Sequence, residues 1–296
     1  MHHPTSTNEL PERMMASSAG PTFTFDPSEG MTPFLRPVYF NRHVLVKYLY
    51  DPRTAVDFAS ETYGTVFGDD WHIAFGLNAN RTVIVWLGDL VDLPLGEQHH
   101  WAGSNIASEH DVRSEFFDAQ IEARFTPPPV GVRALNALAR WNDAFVTKQG
   151  SALYRIRDLD QRLEDVRRYR SLIINREDDF VRYVSELNEI INEDVDNKAV
   201  RSFLAANAVT VPLNSKGNKL LELVYKNVFG DDANAIAPFF YLYALRLWAD
   251  HAMGDKNLLE VAAKLGVDDP RDYDVMMTTL LAALESSAVD LKMRFG

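Results

Sequence analysis

The chain contains no cysteine. That excludes disulfides, thiolate nucleophiles and cysteine-ligated zinc, so any metal would need His and carboxylate ligands. No apolar run approaches the ~18 residues that cross a bilayer, and the start, MHHPTSTNELPERMM, has neither a basic nor an apolar leader segment. A soluble, cytoplasmic protein without membrane contact is therefore expected. Positive charge is scarce: 30 Lys and Arg stand against 42 Asp and Glu, a formal charge of −12. A broad, non-specific nucleic-acid surface is disfavoured, because counterion release needs contiguous basic charge. Also missing are a P-loop, a dinucleotide-binding glycine turn, a G-x-S-x-G elbow, an EF-hand loop and any repeat at a solenoid period.

What is present is a hydrophobic fraction of 46% in 296 residues, enough for one large core or two ordinary ones. Residues 1–30 are rich in Pro, Ser, Thr and Gly without periodicity and read as a disordered tail. Residues 31–126 read as an α+β module. In it Val44, Leu45, Tyr48 and Leu49 recur at helical spacing behind Asn41 as a cap, and Pro52 stops the run. TAVDFASETYGTVFG and HIAFGLNANRTVIVWLGDL carry β-rich segments, the latter around the turn LNAN, and predict a small antiparallel sheet. FDAQIEARF alternates apolar and polar residues from Phe117 to Phe125 and reads as a strand, although Phe117, Ile121 and Phe125 would also stack on a helix. TPPPVG, Thr126 to Gly131, can continue neither a ladder nor a helix and marks a domain boundary.

From 131 to 296 the pattern is that of a mainly helical bundle. Leu159, Leu163, Val166 and Ile173 mark one long amphipathic helix; Phe180, Val184, Leu187 and Ile191 mark its continuation or successor. SKGNKLLELVYKNVFG gives a helix ending near Gly230, PFFYLYALRLWADHAMG one with Pro238 at its first position, and DYDVMMTTLLAALESSAVDLKMRF a last one.

Three stretches carry residues capable of chemistry. In Trp86–Ile106, Glu97, His99 and His100 could bind a metal, but adjacent histidines diverge on a regular backbone. The plainer reading packs Trp86, Leu90, Trp101 and Ile106 while Glu97, Gln98 and Asn105 hold a loop by hydrogen bonds. RLEDVRRYR, Arg162 to Arg170, is a local basic stripe able to meet RNA, or a solvated helix face pairing with Glu164 and Asp165. The third is LRLWADH, where Arg246, Asp250 and His251 follow an aromatic run. It is either an active site or a packed helix with an Arg246–Asp250 pair at i, i+4.

The spacing of Arg246 and His251 late in a helical array resembles the R-x4-6-H motif of the HEPN superfamily, and the resemblance covers the C-terminal half. It implies a metal-independent, cofactor-free endoribonuclease working as a homodimer in a bacterial toxin or defence setting, with RNA and an antitoxin or regulatory protein as partners. His251 would carry protons for 2′-hydroxyl attack, Arg246 would clamp the phosphorane and Asp250 would orient either. Tyr243, Arg167, Arg168 and Arg170 would bind the RNA. Leu247 stands where that family often has Asn, Asp or His. The alternative is a non-catalytic HEPN-like module for dimerisation and partner binding. The stretch Trp86–Ile106 resembles the N-terminal part of a group of bacterial proteins with helical C-terminal halves, which implies no activity.

Overall fold

A computed structural model describes residues 22–26, 28, 30–155, 159–170, 172–174, 176–230, 234–250 and 254–295. The chain divides into two compact units, Met1–Thr126 and Pro127–Gly296, the first built on a sheet and the second on helices. The fold is α+β.

In the first unit, α1 (Met31–Phe34) precedes β1 (Pro37–Phe40), a 3-10 turn over Arg42–Leu45 and α2 (Val46–Tyr50). Asn41 caps the turn by accepting the amide of His43 at 2.8 Å. Four strands follow, β2 (Ala55–Ser60), β3 (Tyr63–Phe67), β4 (His72–Leu77) and β5 (Val83–Trp86), then α3 (Leu87–Val91), α4 (Leu95–Ala102), the two-residue β6 (Asn105–Ile106) and α5 (Glu115–Gln120). All pairings are antiparallel in the order β2-β3-β4-β5-β1-β6, so the first strand inserts between β5 and β6. The β4–β5 turn is a side-chain device: Asn78 Oδ1 accepts the amides of Asn80 and Thr82, each at 3.0 Å.

Three expectations are corrected here. FDAQIEARF is no strand: Ser114 accepts the amide of Phe117 at 3.3 Å and starts α5, Phe116 alone is buried there, and Phe125 is 92% exposed. Trp86–Ile106 is helical rather than a loop over most of its length, and Ile106 is exposed although Trp86, Leu90 and Trp101 are buried. Within the expected tail, Phe23 is buried against Phe40, ring centroids 6.2 Å apart.

The second unit opens with α6 (Val130–Gln149), which takes Val130 and Gly131 out of the expected linker. A Cβ on Gly131 would meet the carbonyl oxygen of Tyr169 at 2.3 Å, so glycine is what lets that backbone approach. Next come α7 (Leu159–Arg170), α8 (Glu177–Asn188), α9 (Asn197–Ala206), α10 (Asn218–Leu223), α11 (Ala237–Asp250), α12 (Lys256–Leu265) and α13 (Tyr273–Phe295). The helix expected through Ile173 ends at Arg170, and Ile173 is buried beyond it; α11 begins one residue before Pro238. α13 packs along α6, and Trp141 of α6 meets Phe239 and Tyr154 edge-on, each at 5.8 Å.

Both α8 and α10 run into π-helical turns, Glu189–Glu193 and Val224–Val228. The amides of Asp194 and Phe229 reach back five residues, to the carbonyls of Glu189 and Val224. Beside the first turn lies a buried amide cluster. Asn192 donates to Asn188 Oδ1 at 2.8 Å and to the Phe239 carbonyl at 3.2 Å, which also accepts Asn218 at 3.0 Å.

Candidate functional site

The last turn of α11 carries Arg246 and Asp250. Four residues apart on a helix, they share a face, and the Arg246 guanidinium Nη1 pairs with Asp250 Oδ1, with side chains 27% and 42% exposed. Among the described residues Asp250 is the sole polar partner of Arg246. That pair holds one edge of the guanidinium and leaves the side chain partly exposed. His251 lies outside the described residues.

The residues on either side of His251 line one groove of about 440 Å³: Trp248, Ala249 and Asp250 before it, Gly254 and Asp255 after it, with Glu177 and Val181 of α8 opposite. Its acids are largely engaged. Asp255 accepts Arg271 at 2.9 Å and Trp248 Nε1 at 3.4 Å, and these bonds, that from Arg271 first, hold its carboxyl below the usual range. Glu177 accepts the Tyr273 hydroxyl at 2.6 Å, and burial together with that carboxylate pushes the phenol up to about 12. Trp248 of the groove wall packs on Phe180 and Tyr273, and Phe180 stacks on Tyr273 at 5.0 Å.

The aromatic run entering the site is mostly consumed inside the unit. Phe239 is buried, Phe240 and Tyr241 pack against the core under Lys219 and Lys264, and Tyr243 is 48% exposed. Of the α7 arginines, Arg167 and Arg170 are exposed, and Arg168 pairs with Glu186 of α8 at 3.2 Å rather than with Glu164 or Asp165. α8 is the element both groups touch, through Arg168 on one side and through Phe180 against Trp248 on the other. Among the described residues, neither Tyr243 nor these arginines line the groove.

In the first unit, the Glu97–His100 stretch is structural. Glu97 accepts Lys47 at 2.7 Å and the Tyr48 hydroxyl at 2.6 Å, His100 Nε2 lies 2.9 Å from the Val44 carbonyl, and His99 is exposed. Gln98 donates to the carbonyls of Val91 and Leu93, and Asn105 to that of Tyr39.

Sequence reasoning missed a second concavity, of about 300 Å³, between α6, the segment Tyr154–Arg155, α7 and the first π turn. Four separated stretches build it, and no motif announces it. No family model, curated protein or solved structure matches the chain.

Proposed function

We propose that the helical unit is an endoribonuclease of the HEPN kind, cleaving RNA without a metal as a homodimer, in the setting of a bacterial toxin or defence effector restrained by an antitoxin or regulatory protein. The observation that carries this reading is the placement of Arg246 and of the residues flanking His251. A partly exposed guanidinium is steadied by Asp250, and that carboxylate itself lines an open groove whose walls come from both sides of the histidine. The ribose 2′-oxygen attacks the adjacent phosphorus, its proton passes to a base, and the 5′-oxygen leaves with a proton, giving a 2′,3′-cyclic phosphate. An imidazole titrating near neutrality serves for either transfer. A guanidinium offers parallel hydrogen bonds to the phosphorane oxygens, the role of Arg246 on this reading.

A second reading is favoured by the same ion pair. Arg246 and Asp250 neutralise each other within one helix, and Glu177 leaves the groove without surplus positive charge. On that reading the bundle is a module for dimerisation and partner binding.

Wild type, His251→Ala and Arg246→Lys proteins, matched by circular dichroism, decide between them on labelled RNA. Both variants are expected to lose ~10²–10⁴-fold in cleavage, the range for removing a general acid or base, because a lysine also cannot reproduce the planar fork. A 2′-deoxy linkage at the cut site abolishes cleavage, and EDTA leaves it unchanged. Undiminished cleavage by folded His251→Ala, or activity lost to EDTA, overturns the nuclease assignment.

A further inference from the structure

The cavity against α6 has the features of a small-molecule site rather than a packing defect. Its volume, about 300 Å³, lies at the lower end of ligand pockets and far above what one water fills. Leu135, Leu138, Val166 and Ile190 supply apolar wall. That wall is held in place: Asn142 Oδ1 accepts the amides of Leu153 and Tyr154 at 2.9 and 3.1 Å, and the Arg155 amide donates to the Asp194 carbonyl at 2.8 Å. Ile190 reaches it from a π-helical turn, a distortion that recurs at functional sites.

The rim carries two opposite charges that do not satisfy each other. Asp143 and Arg155 are both exposed and both line the cavity, and among the described residues neither side chain has a polar partner. Opposite charges across an apolar hollow match a molecule that is itself a zwitterion with an apolar body. Asp165 and Asp194, also in the lining, each have an interaction within the chain and add negative potential that favours an ammonium over a second carboxylate.

We infer that this cavity binds a free α-amino acid with an apolar side chain, its ammonium on Asp143, its carboxylate on Arg155 and its side chain against Leu135, Leu138, Val166 and Ile190. The inference stands apart from the nuclease reading, since it uses neither α11 nor its groove.

Calorimetric titration of the full chain with L-phenylalanine and L-leucine tests it, beside phenethylamine, which lacks the carboxylate, and 3-phenylpropionate, which lacks the amine. At least one amino acid is expected to bind, and both phenyl analogues at least tenfold more weakly than L-phenylalanine. Asp143→Asn and Arg155→Gln, both at exposed positions, should each weaken amino-acid binding at least tenfold. Ala139→Trp, on the exposed lip, should block it without altering charge. No heat at millimolar amino acid, equal binding of an analogue lacking one charge, or binding undisturbed by these three folded variants overturns the proposal.

Discussion

The two units use charge in different ways. In the sheet unit, carboxylates tie together segments far apart in sequence: Glu97 holds α2, Glu109 holds the β4–β5 turn through Asn78, Asn80 and Thr82, and Glu115 accepts the Thr62 amide at 2.7 Å. Among the described residues of the helical unit most ion pairs stay within one helix, as in Lys226–Glu222, Arg246–Asp250 and Arg294–Asp290, with Arg133–Glu285 and Arg168–Glu186 crossing between helices. Short strands and long loops leave the first unit many backbone amides for side chains to satisfy. The second satisfies its backbone by helix and is held by apolar contact. Carboxylates thus act mostly between distant segments in one and more often within a helix in the other, where Glu177 under the Tyr273 hydroxyl is an exception.

The comparison breaks first at the helical core. Trp141→Ala removes a fully buried indole from between Phe239 and Tyr154 and is expected to cost about 3–5 kcal/mol, measured by urea denaturation. A loss below about 1 kcal/mol would mean that apolar packing does not dominate there.

A smaller effect is expected where a carboxylate acts as a tie. Glu115→Ala leaves the Thr62 amide without its acceptor and is expected to cost about 1–3 kcal/mol, with amide exchange rising at Thr62 and at the start of α5. Unchanged exchange at Thr62 would show that the tie is ornamental.

The smallest belongs to the intrahelical pairs. Lys226→Ala breaks an exposed i, i+4 contact at 2.6 Å and should change stability by no more than about 0.5 kcal/mol, a difference that 0.5 M salt removes. A loss matching that of Glu115→Ala would erase the distinction.

Several elements were legible because burial follows a simple period. Phe180, Val184, Leu187 and Ile191 recur at helical spacing and are all fully buried. Two helices with equally regular stripes, α9 through Val200, Phe203 and Leu204 and α12 through Leu258, Val261 and Ala262, were open to the same reading. α5 misled because Phe117, Ala119, Ile121, Ala123 and Phe125 alternate like a strand, yet the residue it buries is Phe116; the cap at Ser114 was the better signal. β1 is four residues long and opens on proline, too short for alternation to declare itself. At the site, the Arg246–Asp250 pair was readable from spacing alone, whereas the cavity on α6 depends on tertiary assembly of residues 135–194 and leaves no local trace.

A π-helical turn is, in chain terms, one residue more than an α-helix accepts. At Glu189–Glu193 Ile191 still falls on the buried stripe of α8, and the wider turn carries the buried Asn192, which reaches the Phe239 carbonyl. Deleting one residue there would restore a regular helix and rotate everything after the cut by about 100° relative to what precedes it. The apolar stripe and the amide cluster could then no longer be met together, which makes this turn a position where the family of tolerated sequences should vary in identity and resist change in length.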